Sequence, residues 1–484
     1  MSVKNALVNL TRHSYIYTIS TFVQRMLGLI MTPVYTVYLA RETYGDYSLL
    51  YAFMAFMNVV YLYGMDVAFM RFYYSDRFKK EDVYASAFWA VGGGALLLSL
   101  LIHGQAPYLS RVIFSDATYE WPVRLAALIL FLDTFSNMPY LILRVQERSV
   151  AYSVARILRF AVELSLNIWF VVVQKEGFLG ILYANALASA INILILLPIQ
   201  WRYLKGRFNA AAFKEMARFG LPLIPNGLAY LVIEMSDKFL MDRFLDRETL
   251  GIYAANYKFG TILLFLVSAF RTAWQPFMMK TAREINARTV FARVMTYFTL
   301  MGVVMVVAVS FLLQDILTLK VTDTFSLLGE RYWPGIPVIP IILTSYLFYG
   351  FYVNFTAGVY ILKRTRLMFL FTGAGAVVNI GSNFWLMPAY GMMGAAWATL
   401  LSYLVMAVLL WGYNQRIYPI PYEYGRITGL LVILVAFLGV YYIFEPGLLY
   451  RLALLVGFAA VLYMGGYLNK TVVGQVQSVL RFKK

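Results

Sequence analysis

The chain has no cysteine, two histidines, and charged residues at only 13% of its 484 positions. Without cysteine there is neither a disulfide framework nor a thiolate metal site. His13 and His103 lie far apart in sequence and at opposite faces of the topology derived below, which argues against a histidine metal site. A soluble protein would carry roughly twice this charged fraction. Acidic side chains are scarcer than basic ones, 24 against 41, for a net charge of +17. Long hydrophilic segments are missing too, so no basic soluble domain exists to bind nucleic acid, and no cofactor is implied.

What is present is apolar. Hydrophobic residues make up 61% of the chain. Continuous apolar runs of about 20 residues recur throughout, each long enough to cross a bilayer core of ~30 Å. Continuous rather than alternating runs favour helices over barrel strands. The sequence predicts an all-α integral membrane protein of about fourteen spans, at 14–39, 45–65, 84–104, 122–143, 149–173, 177–200, 219–241, 251–277, 293–313, 334–361, 367–388, 391–412, 427–445 and 448–468. The first span has a short polar start and no small-residue cleavage site, so it is expected to remain in the mature chain.

Basic residues test that count. With the N-terminus inside, inner segments carry 26 of the 41 lysines and arginines and outer segments nine. A ratio near three to one places both termini in the cytoplasm. The net charge is thus mostly a topology signal, and the basic inner face should attract anionic membrane lipids.

The chain repeats. Arg41-Glu42-Thr43-Tyr44-Gly45-Asp46-Tyr47 recurs as Arg247-Glu248-Thr249-Leu250-Gly251-Ile252-Tyr253, and Leu39–Phe53 matches Leu245–Phe259 at eight of fifteen positions. Asn167-Ile168-Trp169 pairs with Asn383-Phe384-Trp385. Gly177-x-x-Gly180-x-x-x-Ala184 pairs with Gly391-x-x-Gly394-x-x-x-Ala398, where small residues four apart would let helices approach closely. Equivalent points lie six spans apart, which implies two six-helix lobes, 1–200 and 219–412, related by a parallel pseudo-two-fold repeat. Residues 201–218 read as an amphipathic helix at the cytoplasmic interface. Residues 413–484 hold two additional helices and a cytoplasmic tail. Those helices either form a groove for a lipid tail or pack on the second lobe.

Several motifs carry a resemblance. They are Gly220-Leu221-Pro222-Leu223-Ile224-Pro225, Ser236-Asp237-Lys238-Phe239, Gly251-Ile252-Tyr253 followed by Tyr257-Lys258, Trp274-Gln275-Pro276-Phe277, and the Glu42–Tyr47 turn. In their order and spacing the chain resembles the polysaccharide (oligosaccharide-lipid, O-antigen type) flippases of the multidrug/oligosaccharidyl-lipid/polysaccharide exporter superfamily. The resemblance implies a bacterial inner-membrane protein that moves undecaprenyl-pyrophosphate-linked oligosaccharide to the outer leaflet by rocking two lobes about a central cavity. It also implies a polysaccharide polymerase and a chain-length regulator as partners.

A charge in the bilayer core costs ~3 kcal/mol, so each needs a wet cavity, a partner or an anionic ligand. Arg25, beside Gln24, sits about eleven residues into the first span, roughly 15 Å deep. Its position resembles an arginine that lipid-linked precursor flippases use. Arg156, Arg159 and Glu163 share one face of the fifth span, where Arg159 and Glu163 could simply pair. Arg271 lies in the eighth span. Lys258 and Lys238 lie nearer the outside, the latter four residues from Glu234 and able to pair with it. Asp133 and Asn137 share a face of the fourth span. Arginine grips phosphate oxygens in bidentate fashion. Gln24, Arg25, Arg156, Arg159, Arg271, Lys258 and Asp133 are therefore the expected contacts of a pyrophosphate head, with Arg25, Arg159 and Arg271 as one cationic site. Glu163, Glu234 and Asp237 are candidates for binding a coupling ion. Pro33, Pro139 and Pro276 should kink their helices.

Two other classes compete. A cation-coupled multidrug exporter of the same superfamily would show a dominant cavity carboxylate and normally twelve spans. A membrane enzyme such as a glycosyltransferase would need a large outer loop, and the longest outer segment, about 314–333, is short and holds only Asp315, Asp323 and Glu330 as acids. The lipid-linked peptidoglycan precursor is an alternative cargo.

Overall fold

The computed structural model describes residues 27–322, 325–444 and 447–468. The architecture is all-helical apart from a small antiparallel hairpin, Lys320–Thr322 with Phe325–Ser326. Among the described residues ten helices are long and apolar enough to cross a membrane, which makes this a multi-pass membrane protein. Gln24 and Arg25 lie outside the described residues.

The first half runs α1 (Leu27–Tyr38), α2 (Arg41–Leu62), α3 (Met65–Tyr73), α4 (Lys80–Gly104), the short α5 (Ala106–Phe114), α6 (Glu120–Val145), α7 (Ser149–Asn167) and α8 (Gly177–Tyr203). The second expected span, 45–65, corresponds to α2, and the chain turns at its end before α3. Tyr63 and Gly64 adopt left-handed φ values of 34° and 72° there. Helix α9 (Ala210–Gly220) links the halves. The second half runs α10 (Ile224–Phe244), α11 (Arg247–Gly260), α12 (Ile262–Thr281), α13 (Ala287–Thr318), α14 (Val338–Phe355), α15 (Ala357–Ile361) and the long α16 (Met368–Ile417), followed by α17 (Tyr424–Phe444) and α18 (Leu448–Met464). Pro139 and Pro276 lie inside α6 and α12.

The paired glycine motifs have a physical reason other than helix–helix packing. Gly177 and Gly391 both take φ 58°, and each reverses the chain between consecutive helical segments. Three residues on, a Cβ at Gly180 would press on the Phe170 carbonyl, and one at Gly394 would strike the Leu386 carbonyl. The first glycine makes the turn and the second lets it close on the helix just left. The paired asparagines also match. Asn167 Nδ2 donates to Glu163 O at 2.8 Å, and Asn383 Nδ2 donates to Asn379 O at 2.9 Å.

The linker helix is docked, not loose. An Asn209 side chain caps it by accepting from Ala211 N and Ala212 N. Its apolar face buries Met216 among Met65, Phe69, Tyr73 and Val83 of the first half. Arg77 pairs with Glu215 at 2.8 Å, Arg207 N donates to Asp82 at 2.9 Å, and Arg71 lies over the Phe219 ring at 4.3 Å. At its end, Gly220 abuts Gly64 backbone to backbone, and a Cβ on either would collide with the other.

The last two helices pack on α13. Arg451, 5% exposed, donates to Asp315 at 2.8 Å and Gln314 at 3.1 Å, and Tyr441 Oη also donates to Gln314, at 3.0 Å. A guanidinium in an apolar helix thereby finds its carboxylate within the protein.

Candidate functional site

The two copies of the Arg-Glu-Thr motif touch each other. Helices α2 and α11 cross at their first turns, where the carbonyl of Arg247 fills the space that a Gly45 side chain would need. The carbonyl of Arg41 fills the space at Gly251. Glycine at both positions is what lets the backbones meet. Arg247 then reaches across. Its guanidinium donates to Asp46 at 2.9 Å, to Asp242 at 3.1 Å and to the Phe114 carbonyl. Tyr119 Oη donates to the same Asp46 at 2.7 Å. The equivalent Arg41 makes only a longer contact of 3.7 Å with exposed Glu248. The loop before α14 completes this seal. Tyr332 Oη donates to Leu39 O at 3.1 Å, and Gly329 N donates to Thr36 Oγ1 at 3.1 Å. Beside the seal, Asp116 accepts from Thr118 N and Oγ1, which holds its carboxyl below the usual range.

Just behind the seal, Lys258 projects from α11 into the first half. Its ammonium donates to Tyr47 Oη at 2.9 Å and lies over the Tyr47 and Tyr44 rings at 4.7 and 5.6 Å. Among the described residues no carboxylate lies within ion-pair distance of it. A buried ammonium held only by hydroxyl and rings is a cation without its anion.

Within the first half, Arg159 (8% exposed) is gripped by two carboxylates. It donates to Asp133 at 2.7 Å across helices and approaches Glu163 at 3.7 Å on its own helix. Ser189 donates to the same Asp133 oxygen at 2.6 Å. Asn185 Nδ2 donates a hydrogen bond of 2.8 Å to Tyr51 Oη, and the Tyr51 ring lies 4.5 Å from that of Tyr47, the residue that holds Lys258. The intrahelical pairing expected for Arg159 is thus the weaker of two. Arg156 packs over the Tyr140 ring at 3.9 Å.

In the second half, Glu234 is buried and accepts from Tyr346 at 2.9 Å and from Tyr403. The expected pairing with Lys238 does not form. That ammonium donates to the Glu234 backbone carbonyl at 2.9 Å, and its nearest carboxylate is Asp237 at 3.6 Å. Asp237, fully buried, accepts from Tyr253 at 2.6 Å. Arg271 donates to Tyr349 at 3.3 Å, and the Tyr349 ring lies 5.2 Å from that of Tyr403. Below Gly260 the chain turns from α11 into α12, which packs on α14 and α13 rather than on the first half. Arg271, Thr272 and Gln275 are exposed on α12. Such a polar run is costly against lipid and calls for a wet or protein-lined surrounding.

The structure therefore brings Asp133, Arg159 and Glu163 together. It places Lys258 between the halves and sets Arg271 in a separate tyrosine cluster. Arg159 and Arg271 thus have different partners, two carboxylates for the first and a tyrosine for the second. Sequence reasoning missed Arg247, Asp46 and Asp242, although the repeated motif marked two of them. The tyrosines around Glu234 gave no signal beyond composition.

Comparison with known proteins followed the same lines. In structure the chain is similar to the lipid II flippase MurJ in an inward closed conformation, with TM-score 0.75, 14% identity, and coverage of 94% of this chain and 100% of that one. It is similar to an inward-facing multidrug resistance MATE family transporter of the MOP superfamily, with TM-score 0.65, 14% identity and coverage of 84% and 95%. It also resembles the Vibrio cholerae MATE transporter VcmN in its bent form, with TM-score 0.58, 11% identity and coverage of 88% and 97%. At these identities the likeness is one of fold. No curated protein matches in sequence. Residues 10–282 match the family described as polysaccharide biosynthesis protein, more than half of the chain, and the protein belongs to that family.

Proposed function

We propose that the protein is a flippase that carries a polyprenyl-pyrophosphate-linked oligosaccharide, a surface-polysaccharide repeat unit, from the inner to the outer leaflet of a bacterial inner membrane by alternating access. What supports this reading is two basic groups at the junction of the halves: Arg271, exposed on α12, and Lys258, which among the described residues has no carboxylate within ion-pair distance. An anionic head entering from the cytoplasmic side would meet Arg271 first. Lys258 would become its counter-charge as the seal opened.

In this proposal the chain has fourteen spans, both termini in the cytoplasm, and two six-helix lobes (1–200 and 219–412) joined by 201–218. Residues 413–484 add two helices and a tail. Gln24, Arg25, Arg156, Arg271 and Lys258 contact the pyrophosphate. Arg159, already engaged by Asp133 and Glu163, orients that cluster and does not grip phosphate itself. Glu163, Glu234 and Asp237 are the groups at which a coupling ion would bind. The cycle involves no covalent step and no cofactor. A polymerase and a chain-length regulator would act on the delivered unit.

Likeness to a lipid II flippase makes the lipid-linked peptidoglycan precursor the second cargo to try. Likeness to multidrug transporters, with a buried Glu234, makes drug cations the third. The test is reconstitution of the purified protein in proteoliposomes with undecaprenyl-pyrophosphate oligosaccharide, scoring glycan exposed on the far leaflet with a lectin. Wild type should flip it and Arg25→Ala should not. Movement of drug cations with no lipid flipped would replace this reading by the exporter one.

A further inference from the structure

We propose that the inner-leaflet side of the first half carries a binding site for an anionic glycerophospholipid. The proposal is independent of what the protein transports. A groove of about 590 Å³ opens between the start of α7 and the end of α8. Val150, Val154, Leu158, Ile195 and Ile199 line it, and Glu147 and Arg148 stand at its mouth. The lining from Val150 to Leu158 runs about 12 Å along α7, most of the ~15 Å depth of one leaflet's hydrocarbon. The mouth lies at the end of the molecule that carries Arg77–Glu215 and the docked linker, the basic face in the sequence. Trp201, 81% exposed beside it, is placed as an interface anchor.

The mouth has the chemistry of a phosphate. The guanidiniums of Arg148 and Arg202 flank one ring, that of Tyr203, at 5.7 and 6.0 Å from its centroid. Among the described residues neither has a carboxylate within ion-pair distance. Arg148 stands at the mouth and Arg202, outside the lining, approaches the same ring, so a phosphate beside Tyr203 would come within reach of either guanidinium. An aliphatic groove alone would accept any lipid tail, and the paired arginines select a phosphate above it. The Glu147 carboxylate at the rim disfavours a multiply charged pyrophosphate. That points to a singly charged phosphodiester, a resident lipid of the inner leaflet and not the tail of the cargo.

The test is native mass spectrometry of the detergent-purified full chain after addition of phosphatidylglycerol, phosphatidylcholine or undecaprenyl pyrophosphate. Wild type should retain phosphatidylglycerol preferentially. Arg148→Gln/Arg202→Gln should weaken its retention about thirty-fold, while Arg148→Lys/Arg202→Lys should largely keep it, separating lost charge from lost folding. Leu158→Trp should block the groove, whereas Leu194→Trp, exposed on α8 outside the lining, should leave binding unchanged. Equal retention of phosphatidylcholine, no effect of Leu158→Trp, or preferential retention of undecaprenyl pyrophosphate would each overturn the assignment.

Discussion

On the proposed topology, the outer and inner junctions between the two halves are built on opposite plans. Outside, two copies of one motif meet head to head. Their glycines allow backbone contact, but the contact is sealed by long side chains: Arg247 on Asp46 and Asp242, Lys258 on Tyr47. Inside, the halves meet at Gly64 and Gly220, and the linker that follows the first half stays folded onto it through Met216 and Arg77–Glu215. Polar contacts between bodies can be exchanged for water or for an anionic ligand, whereas a covalently tethered, apolar dock has no such substitute. In the proposed cycle the motif–motif junction is therefore the part expected to open toward the far leaflet, while the linker dock stays folded on the first half.

The absence of native cysteine makes the strongest test of that contrast simple. A short thiol cross-link between Arg41→Cys and Glu248→Cys should abolish transport in proteoliposomes. The same cross-link between Arg77→Cys and Glu215→Cys should leave it intact. Loss of transport in the second variant would mean that the linker must undock.

Next in size is Arg247→Ala. It leaves Asp46 buried without its cation, a loss of about 3 kcal/mol for a broken buried pair. The outer face should open more often, read as faster thiol labelling of Tyr47→Cys from outside. Unchanged labelling would mean that the seal rests on backbone contact alone.

Arginines in the two halves should then behave differently. Arg159→Ala strands Asp133 and Glu163 together and should lower stability by about 3 kcal/mol in thermal unfolding. Arg271→Ala removes only a tyrosine contact and should stay within about 0.5 kcal/mol of wild type while losing transport. If instead Arg271→Ala unfolds the protein, its role is structural. The smallest effect is expected for Glu248→Ala, since an exposed pair at 3.7 Å contributes about 0–1 kcal/mol.

Much of this was readable from residues whose spacing is local. The apolar runs gave the helices, and Gly177 and Gly391 marked two chain reversals with the same φ. Asn167 and Asn383 marked two matching side-chain bonds. What could not be read depends on which helices become neighbours. Arg159 chose Asp133, 26 residues away on another helix, over Glu163 four residues along. Glu234 drew its partners from positions 112 and 169 residues distant. The repeated motif announced two equivalent turns, but not that each would press on the other. One break point was also hidden, since Gly260-Thr261 lies within the apolar run expected as the single span 251–277.

The central claim is that one junction opens and the other holds. Its most direct test is a pair of distance measurements by spin labels in reconstituted protein, one pair at Glu42→Cys and Glu248→Cys, the other at Arg77→Cys and Lys214→Cys, with and without undecaprenyl-pyrophosphate oligosaccharide. A longer or broader outer distance on adding the lipid, with the inner distance unchanged, is the predicted result. An outer distance that stays fixed while the inner one spreads would contradict the account.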